Sequence, residues 1–292
     1  MLGAIAGDII GSVYEFTGQK RYDFEMLPKG SRFTDDSVMT VAVAHWLSHC
    51  DGEGHPDHSK KHLIRCMQML GNEYPFAGYG SSFNAWLWCE NPQPYNSWGN
   101  GAAMRVSPVG LYAETLDEAL ELAKISAEVS HNHPEGIKGA QAVASVVWMA
   151  KHGHTKDEIR DYITEKFHYD LTRNVDDIRP GYKWDVSCQG SVPESIICFL
   201  EGKDFEDVVR LAVSLGGDAD TMACIAGSIA ACIYPIPEWI ENECKKILPP
   251  LLYNYMQMFE GYIEHGREFN RLLDYYKTIN KIISRYQPNY GN

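Results

Sequence analysis

From Thr221 to Ile233 the chain reads Thr-Met-Ala-Cys-Ile-Ala-Gly-Ser-Ile-Ala-Ala-Cys-Ile, apolar or small at nearly every position. A helix without a polar face has to be covered on all sides, so a helix over about 221–233 belongs in the middle of the molecule. Helical periodicity prevails elsewhere too. Val38, Val41, Ala42, His45 and Trp46 follow the helical repeat directly after Thr34-Asp35-Asp36, which predicts another buried helix. Thr115-x-x-Glu118 and Thr155-x-x-Glu158 have capping-box spacing and should begin helices. Pro193, in Val192-Pro193-Glu194, suits a first helical position, and Asp204 is placed to cap a helix over 208–215 that ends at Gly216-Gly217. Pro237 to Tyr286 reads as further helices broken at Pro249-Pro250, and no two adjacent segments alternate like a hairpin. The expected fold is an all-α, single-domain helical bundle over residues 1–292, with long functional loops at 17–33 and 72–100.

No linker-like tract divides the 292 residues, and 45% hydrophobic with 22% charged residues is the composition of a globular chain that needs no staples. The formal charge of −13 repels nucleic-acid backbones and anionic membranes and attracts cations, so general nucleic-acid binding is not expected. The eight cysteines form no C-x-x-C pair, which fits reduced, buried thiols. Met1 to Phe16 is apolar but lacks a basic start and is interrupted by Asp8, and no stretch reaches the roughly 18 apolar residues of a membrane span. The expectation is a cytoplasmic monomer.

Two acidic clusters stand before buried helices: Thr34-Asp35-Asp36-Ser37 and Gly216-Gly217-Asp218-Ala219-Asp220-Thr221. One carboxylate at a helix start is an ordinary cap. Each cluster has two aspartates and a threonine, and clustered carboxylates in apolar surroundings need a cation. Oxygen ligands without His or Cys suit Mg²⁺ or Mn²⁺, and together the clusters have the donors for two ions roughly 4 Å apart. A third segment, Ser97-Trp98-Gly99-Asn100-Gly101-Ala102-Ala103-Met104-Arg105, combines glycines that let amides approach a phosphate with an indole face, although Gly-Asn-Gly alone is more often a plain turn.

Read together, these residues resemble the ADP-ribosylglycohydrolase family, which includes the dinitrogenase reductase-activating glycohydrolase and the eukaryotic ADP-ribosyl-acceptor hydrolases. The resemblance runs through Gly7-Asp8-Ile9-Ile10-Gly11-Ser12-x-x-Glu15-Phe16, the Thr34 cluster, Gly99 to Arg105 and the Gly216 cluster, in the family's order. It implies an all-α fold with two Mg²⁺ or Mn²⁺ held by Thr34, Asp35, Asp36, Asp218, Asp220 and Thr221, with Asp218 acting partly through water and Glu15 a ligand or a neighbour that yields to substrate. It further implies that Ser97, Trp98, Gly99, Asn100 and Gly101 lie along the nucleotide and that His131 is close to substrate. The implied reaction is hydrolysis of the bond between ADP-ribose and an arginine or serine side chain of a protein, or a small-molecule acceptor. A metal-activated water attacks, with Asp36 or Glu15 steering protons.

Three other readings use the same residues or their neighbours. The acidic donors equally suit a two-metal nucleotide phosphoesterase, or a protein that binds ADP-ribose without turnover. His58 and His62, four apart, lie among charged residues and read as surface histidines rather than zinc ligands; His152 and His154 read as a helix end. The aromatic run Phe83 to Trp88, Cys188 and the Val192-Pro193 segment read as core or helix-start residues outside the site.

Overall fold

The computed structural model describes residues 1–49 and 57–266. The helices are α1 (Leu2–Gly11), α2 (Asp35–Ser48), α3 (Lys60–Glu73), α4 (Ser81–Leu87), α5 (Gly101–Met104), α6 (Ser107–Tyr112), α7 (Leu116–Glu128), α8 (Pro134–Lys151), α9 (Lys156–Phe167), α10 (Val175–Ile178), α11 (Cys188–Glu201), α12 (Phe205–Ser214), α13 (Ala219–Ala230), α14 (Glu238–Ile247) and α15 (Pro250–His265). Among the described residues no strand forms; Gly99 and Ser187 share an isolated bridge. The fold is all-α, and no described helix is long and apolar enough to cross a membrane.

The all-apolar segment is the central helix. Every residue of α13 is buried, and α1, α12, α11, α5 and α8 pack around it. The helix ends at Ala230, and Cys232 and Ile233 continue as a turn bonded to the carbonyls of Ile229 and Ala230. Against α13 lies α1, whose Gly3, Gly7 and Gly11 recur every fourth residue and so share one face. A Cβ on Gly7 would stand 2.0 Å from the Ala223 carbonyl oxygen, and one on Gly11 2.4 Å from that of Ala219. The two helices therefore meet backbone to backbone, which any larger side chain prevents. That contact sets Asp8 of α1 beside the start of α13.

Caps explain where most helices begin. Thr155 and Glu158 form the reciprocal box expected of them, and the Asp204 carboxylate accepts from the Asp207 amide at 2.8 Å, so α12 starts at Phe205 rather than at Val208. At α7 the box is incomplete: Thr115 caps the Glu118 amide, but the Glu118 carboxylate reaches past it to the amide of Glu114. The helix expected to open at Val192 instead starts at Cys188, because Ser187 caps it through the amide of Gly190; Pro193 lies in the second turn, where the helix runs through it. The 72–100 stretch is not one long loop, since α3 reaches Glu73 and α4 occupies Ser81–Leu87. Residues 17–33 do form a loop, tied down by Tyr14 Oη donating to Glu25 O and Arg210 Nη1 donating to Phe24 O. The expected helix beyond residue 266 lies outside the described residues.

The described cysteines are free, with Cys66, Cys188, Cys198, Cys224 and Cys244 buried. His62 is not a surface residue: α3 buries it, and its Nδ1 bonds the Asp57 carbonyl. His58 precedes α3 and is half-buried, so the pair is not on one helix. His152 does end α8, as expected.

Candidate active site

The acidic clusters open α2 and α13, and capping does not account for them. Thr34, not an aspartate, caps α2, its hydroxyl accepting from the Asp36 amide at 3.3 Å. Asp218 occupies the cap position of α13 but makes no side-chain cap bond; its Oδ2 accepts instead from Asn100 Nδ2 at 2.6 Å. Gly216, at φ +67°, supplies the left-handed turn that brings the Asp218 chain in, where a side chain would strike the Gln19 carbonyl.

The helix starts converge. Among the described residues, two groups of three carboxylates have oxygens within 4.8 Å of one another: Asp8, Asp36 and Asp220, and Glu15, Asp218 and Asp220. Asp220 belongs to both, the arrangement of a carboxylate shared by two ions. Burial and mutual repulsion raise their pKa values. Burial, then Asp220 and Asp8, push Asp36 well up, and burial, then Asp218 and Asp8, do the same to Asp220. Asp218 is pushed up to about 6 by burial, against the hydrogen bonds it receives. Glu15, half-buried, is raised to about 8 by burial and by Asp220, with Arg32 pulling the other way. Asp36 Oδ1 is buried without a hydrogen-bond partner, as is fitting for a ligand atom whose partner is a cation. A hard, all-oxygen donor set, crowded and with an unpaired buried oxygen, fits Mg²⁺ or Mn²⁺.

Asp8 is the residue that sequence reasoning missed. It is fully buried, and its carboxylate accepts from Thr34 N (2.9 Å), Thr34 Oγ1 (2.7 Å), Ser37 N (3.1 Å) and Ser37 Oγ. These bonds work against the desolvation that raises its pKa. They also settle the Thr34 hydroxyl: its hydrogen goes to Asp8, which leaves its lone pairs facing the α2 start.

The carboxylates floor one end of a cleft of about 580 Å³. Glu15, Asp35, Asp36, Asp218, Asp220 and Thr221 line it, whereas Thr34 stands behind Asp36 and does not. Asp35 lies on the cleft wall close enough to the others that Asp220, then Asp8 and Glu15, join burial in pushing its pKa well up; Asp8 stands in the first carboxylate group as well. Thr221 Oγ1 donates to Asp36 Oδ2 at 3.2 Å, which links the two helix starts.

The other end is made by Ser97, Trp98, Gly99, Asn100, Gly101 and His131, all on its wall. The amides of Gly99 and Asn100 are already used by Ser97 Oγ and Val186 O, so they are not both open to a phosphate. His131 is buried and held neutral, its pKa pulled well down by burial and by Arg105. Arg105 Nη2 donates to Ser130 Oγ at 2.9 Å, and Ser130 Oγ lies 2.8 Å from His131 Nδ1. Because Ser130 Oγ accepts from Arg105, its own hydrogen goes to Nδ1, which puts the histidine's hydrogen on Nε2, toward the cleft and the 99–101 loop. Phe83, assigned to the core from sequence, is buried but lines the cleft, beneath the guanidinium of Arg105. Tyr95 and Trp184 also line it; isolated aromatics in loops carried no sequence signal.

This all-α cleft with paired carboxylate groups has relatives. The chain belongs to the ADP-ribosylglycohydrolase family, with a match over residues 1–262, and is an enzyme of that class. It is 34% identical over 161 residues to an uncharacterised protein of Archaeoglobus fulgidus, covering 49% of this chain and 52% of that one, so it spans about half the length of that relative. It is 23% identical to an ADP-ribosylarginine hydrolase of Pseudomonas putida (83% of this chain, 72% of that one) and 25% identical to ADP-ribosylhydrolase ARH3 of Homo sapiens (84% and 88%). A solved ADP-ribosylglycohydrolase-related protein complex has a chain of the same fold, with a TM-score of 0.67 at 23% identity over 91% of this chain and 95% of that one.

Proposed function

We propose that the protein is a metal-dependent hydrolase that cleaves the glycosidic bond between ADP-ribose and an arginine or serine side chain. The observation that carries this reading is the pair of carboxylate groups sharing Asp220 in a single cleft whose wall also has the aromatic and histidine groups a nucleotide needs. Thr34, Asp35, Asp36, Asp218, Asp220 and Thr221, with Glu15, would hold the two ions, and Asp8 orients Thr34. When bound, Mg²⁺ or Mn²⁺ supplies the Lewis acidity that makes water nucleophilic at neutral pH and fixes ribose hydroxyls.

The chain's own residues do the rest. Breaking the anomeric bond builds positive charge on the ribose, which the surrounding carboxylates stabilise. Asp36, on the cleft wall, would take the proton of the attacking water. Glu15, half-buried at the edge of the carboxylates, is the group that would yield its place on the ions to substrate and carry the proton for the departing nitrogen or oxygen. His131 donates a neutral hydrogen bond from Nε2 to the nucleotide without adding charge. Asn100 ties the nucleotide loop to Asp218, so nucleotide and ions are registered by one hydrogen bond. Incubation with ADP-ribosylated arginine and serine peptides and Mg²⁺ or Mn²⁺ should release ADP-ribose. Release of AMP or phosphate would instead make the protein a phosphoesterase, and tight ADP-ribose binding without release a non-catalytic binder.

A further inference from the structure

Phe16 and Trp184 are 77% and 44% exposed, yet their rings stack, with centroids 4.9 Å apart and planes 24° from parallel. Trp184 is on the cleft wall, and Phe16 stacks on it from outside the lining. Phe16 directly follows Glu15, and Trp184 lines the cleft with Glu15. The segment bearing Trp184 connects the two ends. Tyr182 and the Lys183 carbonyl lie against Gly217, the residue before Asp218, while Val186 O accepts from the Asn100 amide and the Cys188 amide donates to Trp98 O.

The connectivity of the substrate decides what reaches this pair. In ADP-ribose the pyrophosphate is attached to the distal ribose through its 5″ carbon and the acceptor through its anomeric carbon, across the ring. A nucleotide lying along residues 97–101 with its ribose over the carboxylates would bring the anomeric carbon beside Glu15, the neighbour of Phe16 in the chain, and so within reach of the Phe16–Trp184 pair. An ADP-ribosylated arginine offers a planar guanidinium that keeps its positive charge; a serine offers one methylene and an ether oxygen. Exposed aromatic faces attract the first and hold little for the second. The carboxylate end and the overall charge of −13 favour the cation as well. Arg32, which acts on Glu15, and Lys183 oppose it, but both are exposed, where solvent screens them.

We propose that the stacked Phe16–Trp184 pair is the acceptor subsite and selects ADP-ribosylated arginine over ADP-ribosylated serine. The proposal rests on the hydrolase reading above. Its test is the ratio of kcat/KM on arginine- and serine-modified peptides in the parent, Phe16→Ala, Trp184→Ala and the conservative Trp184→Phe. The parent should prefer arginine, and each alanine variant should cut that preference by about three- to thirty-fold, mainly through KM on the arginine peptide. Trp184→Phe should restore most of it, and calorimetry should find ADP-ribose affinity unchanged in all three. A parent that prefers serine, or alanine variants with an unaltered ratio, overturns the proposal. Loss of ADP-ribose affinity also overturns it and assigns the pair to the nucleotide. A parent that releases ADP-ribose from neither peptide contradicts the hydrolase reading itself; the arginine preference is then decided by calorimetric binding of the two modified peptides to the parent, equal affinities overturning it.

Discussion

Asp8→Asn preserves the shape of a fully buried side chain and removes one charge, so it separates a structural clamp from an electrostatic one. Asp8 accepts four hydrogen bonds, and losing the charged acceptor weakens each by about 1 kcal/mol, or about 4 kcal/mol together. Against this, Asp8 has Asp36 and Asp220 within 4.8 Å. Unit charges that close repel by about 3.5 kcal/mol per pair at an effective dielectric of 20, and the substitution removes that repulsion to the extent that the partners are ionised. Without divalent ions the two effects oppose each other, so the substitution should cost less than the weakened bonds alone would, under about 4 kcal/mol. With ions the balance is one-sided. A buried anion behind the ligands is lost, and an amide facing Thr34 frees its hydroxyl hydrogen to turn to Asp36 Oδ2, 3.3 Å away, where it competes with a cation. A deficit of about 3 kcal/mol is about a hundredfold in metal Kd. Thermal melts in chelator and in Mn²⁺, with calorimetric Mn²⁺ titration, measure both halves. A folded variant with parental Mn²⁺ affinity, or one destabilised equally with and without Mn²⁺, would refute the electrostatic role.

Gly7→Ala forces the α1 and α13 backbones apart, because its Cβ would stand 2.0 Å from the Ala223 carbonyl oxygen; a loss of about 3 kcal/mol and a Tm lower by roughly 6–12 °C are expected by calorimetry. Protons on Asp218 (about 6) and Glu15 (about 8) must leave when a cation binds, so Mn²⁺ affinity should climb from pH 5.5 to 8. Because both groups bind protons more tightly folded than unfolded, the protein in chelator should lose stability as pH rises from about 4 toward 8, and saturating Mn²⁺ should abolish that slope. Melts that are flat over this range in chelator would contradict it. If Glu15 chiefly carries the leaving-group proton, Glu15→Gln should lower kcat by about 10² to 10⁴ while ADP-ribose and Mn²⁺ affinity hold; a parental rate on both arginine and serine peptides would move proton transfer to Asp36.

What the sequence made legible was local. An apolar helix has to be central, and α13 is; helix repeats and side-chain caps mark α2, α9 and α12; aspartate pairs in excess of what capping needs mark the two helix starts that converge. What it hid was contact between distant segments. Asp8 read only as a break in an apolar run, because nothing local shows that the glycines on either side of it press α1 onto α13 and carry it to Thr34 and Ser37. Phe83 read as core, and is buried, but one edge of it faces the cleft. Trp184 is one aromatic in a loop, and only its stacking on Phe16, more than 160 residues earlier in the chain, gives it a place. Ser187 outcompeted Pro193 for the start of α11 because a serine cap satisfies an amide that a proline merely lacks.

The central claim is that carboxylates from two helix starts, joined through Asp220, hold the ions that cleave the ADP-ribose bond. Its most direct test is ADP-ribose release from arginine- and serine-modified peptides by parent and Asp220→Asn protein, stripped with chelator and then titrated with Mn²⁺ while bound metal is counted. The account predicts no release in chelator, release that saturates as the parent binds two ions, and neither full occupancy nor turnover in Asp220→Asn. Release that persists in the stripped parent, or an Asp220→Asn protein that binds two ions and turns over as the parent does, would contradict it.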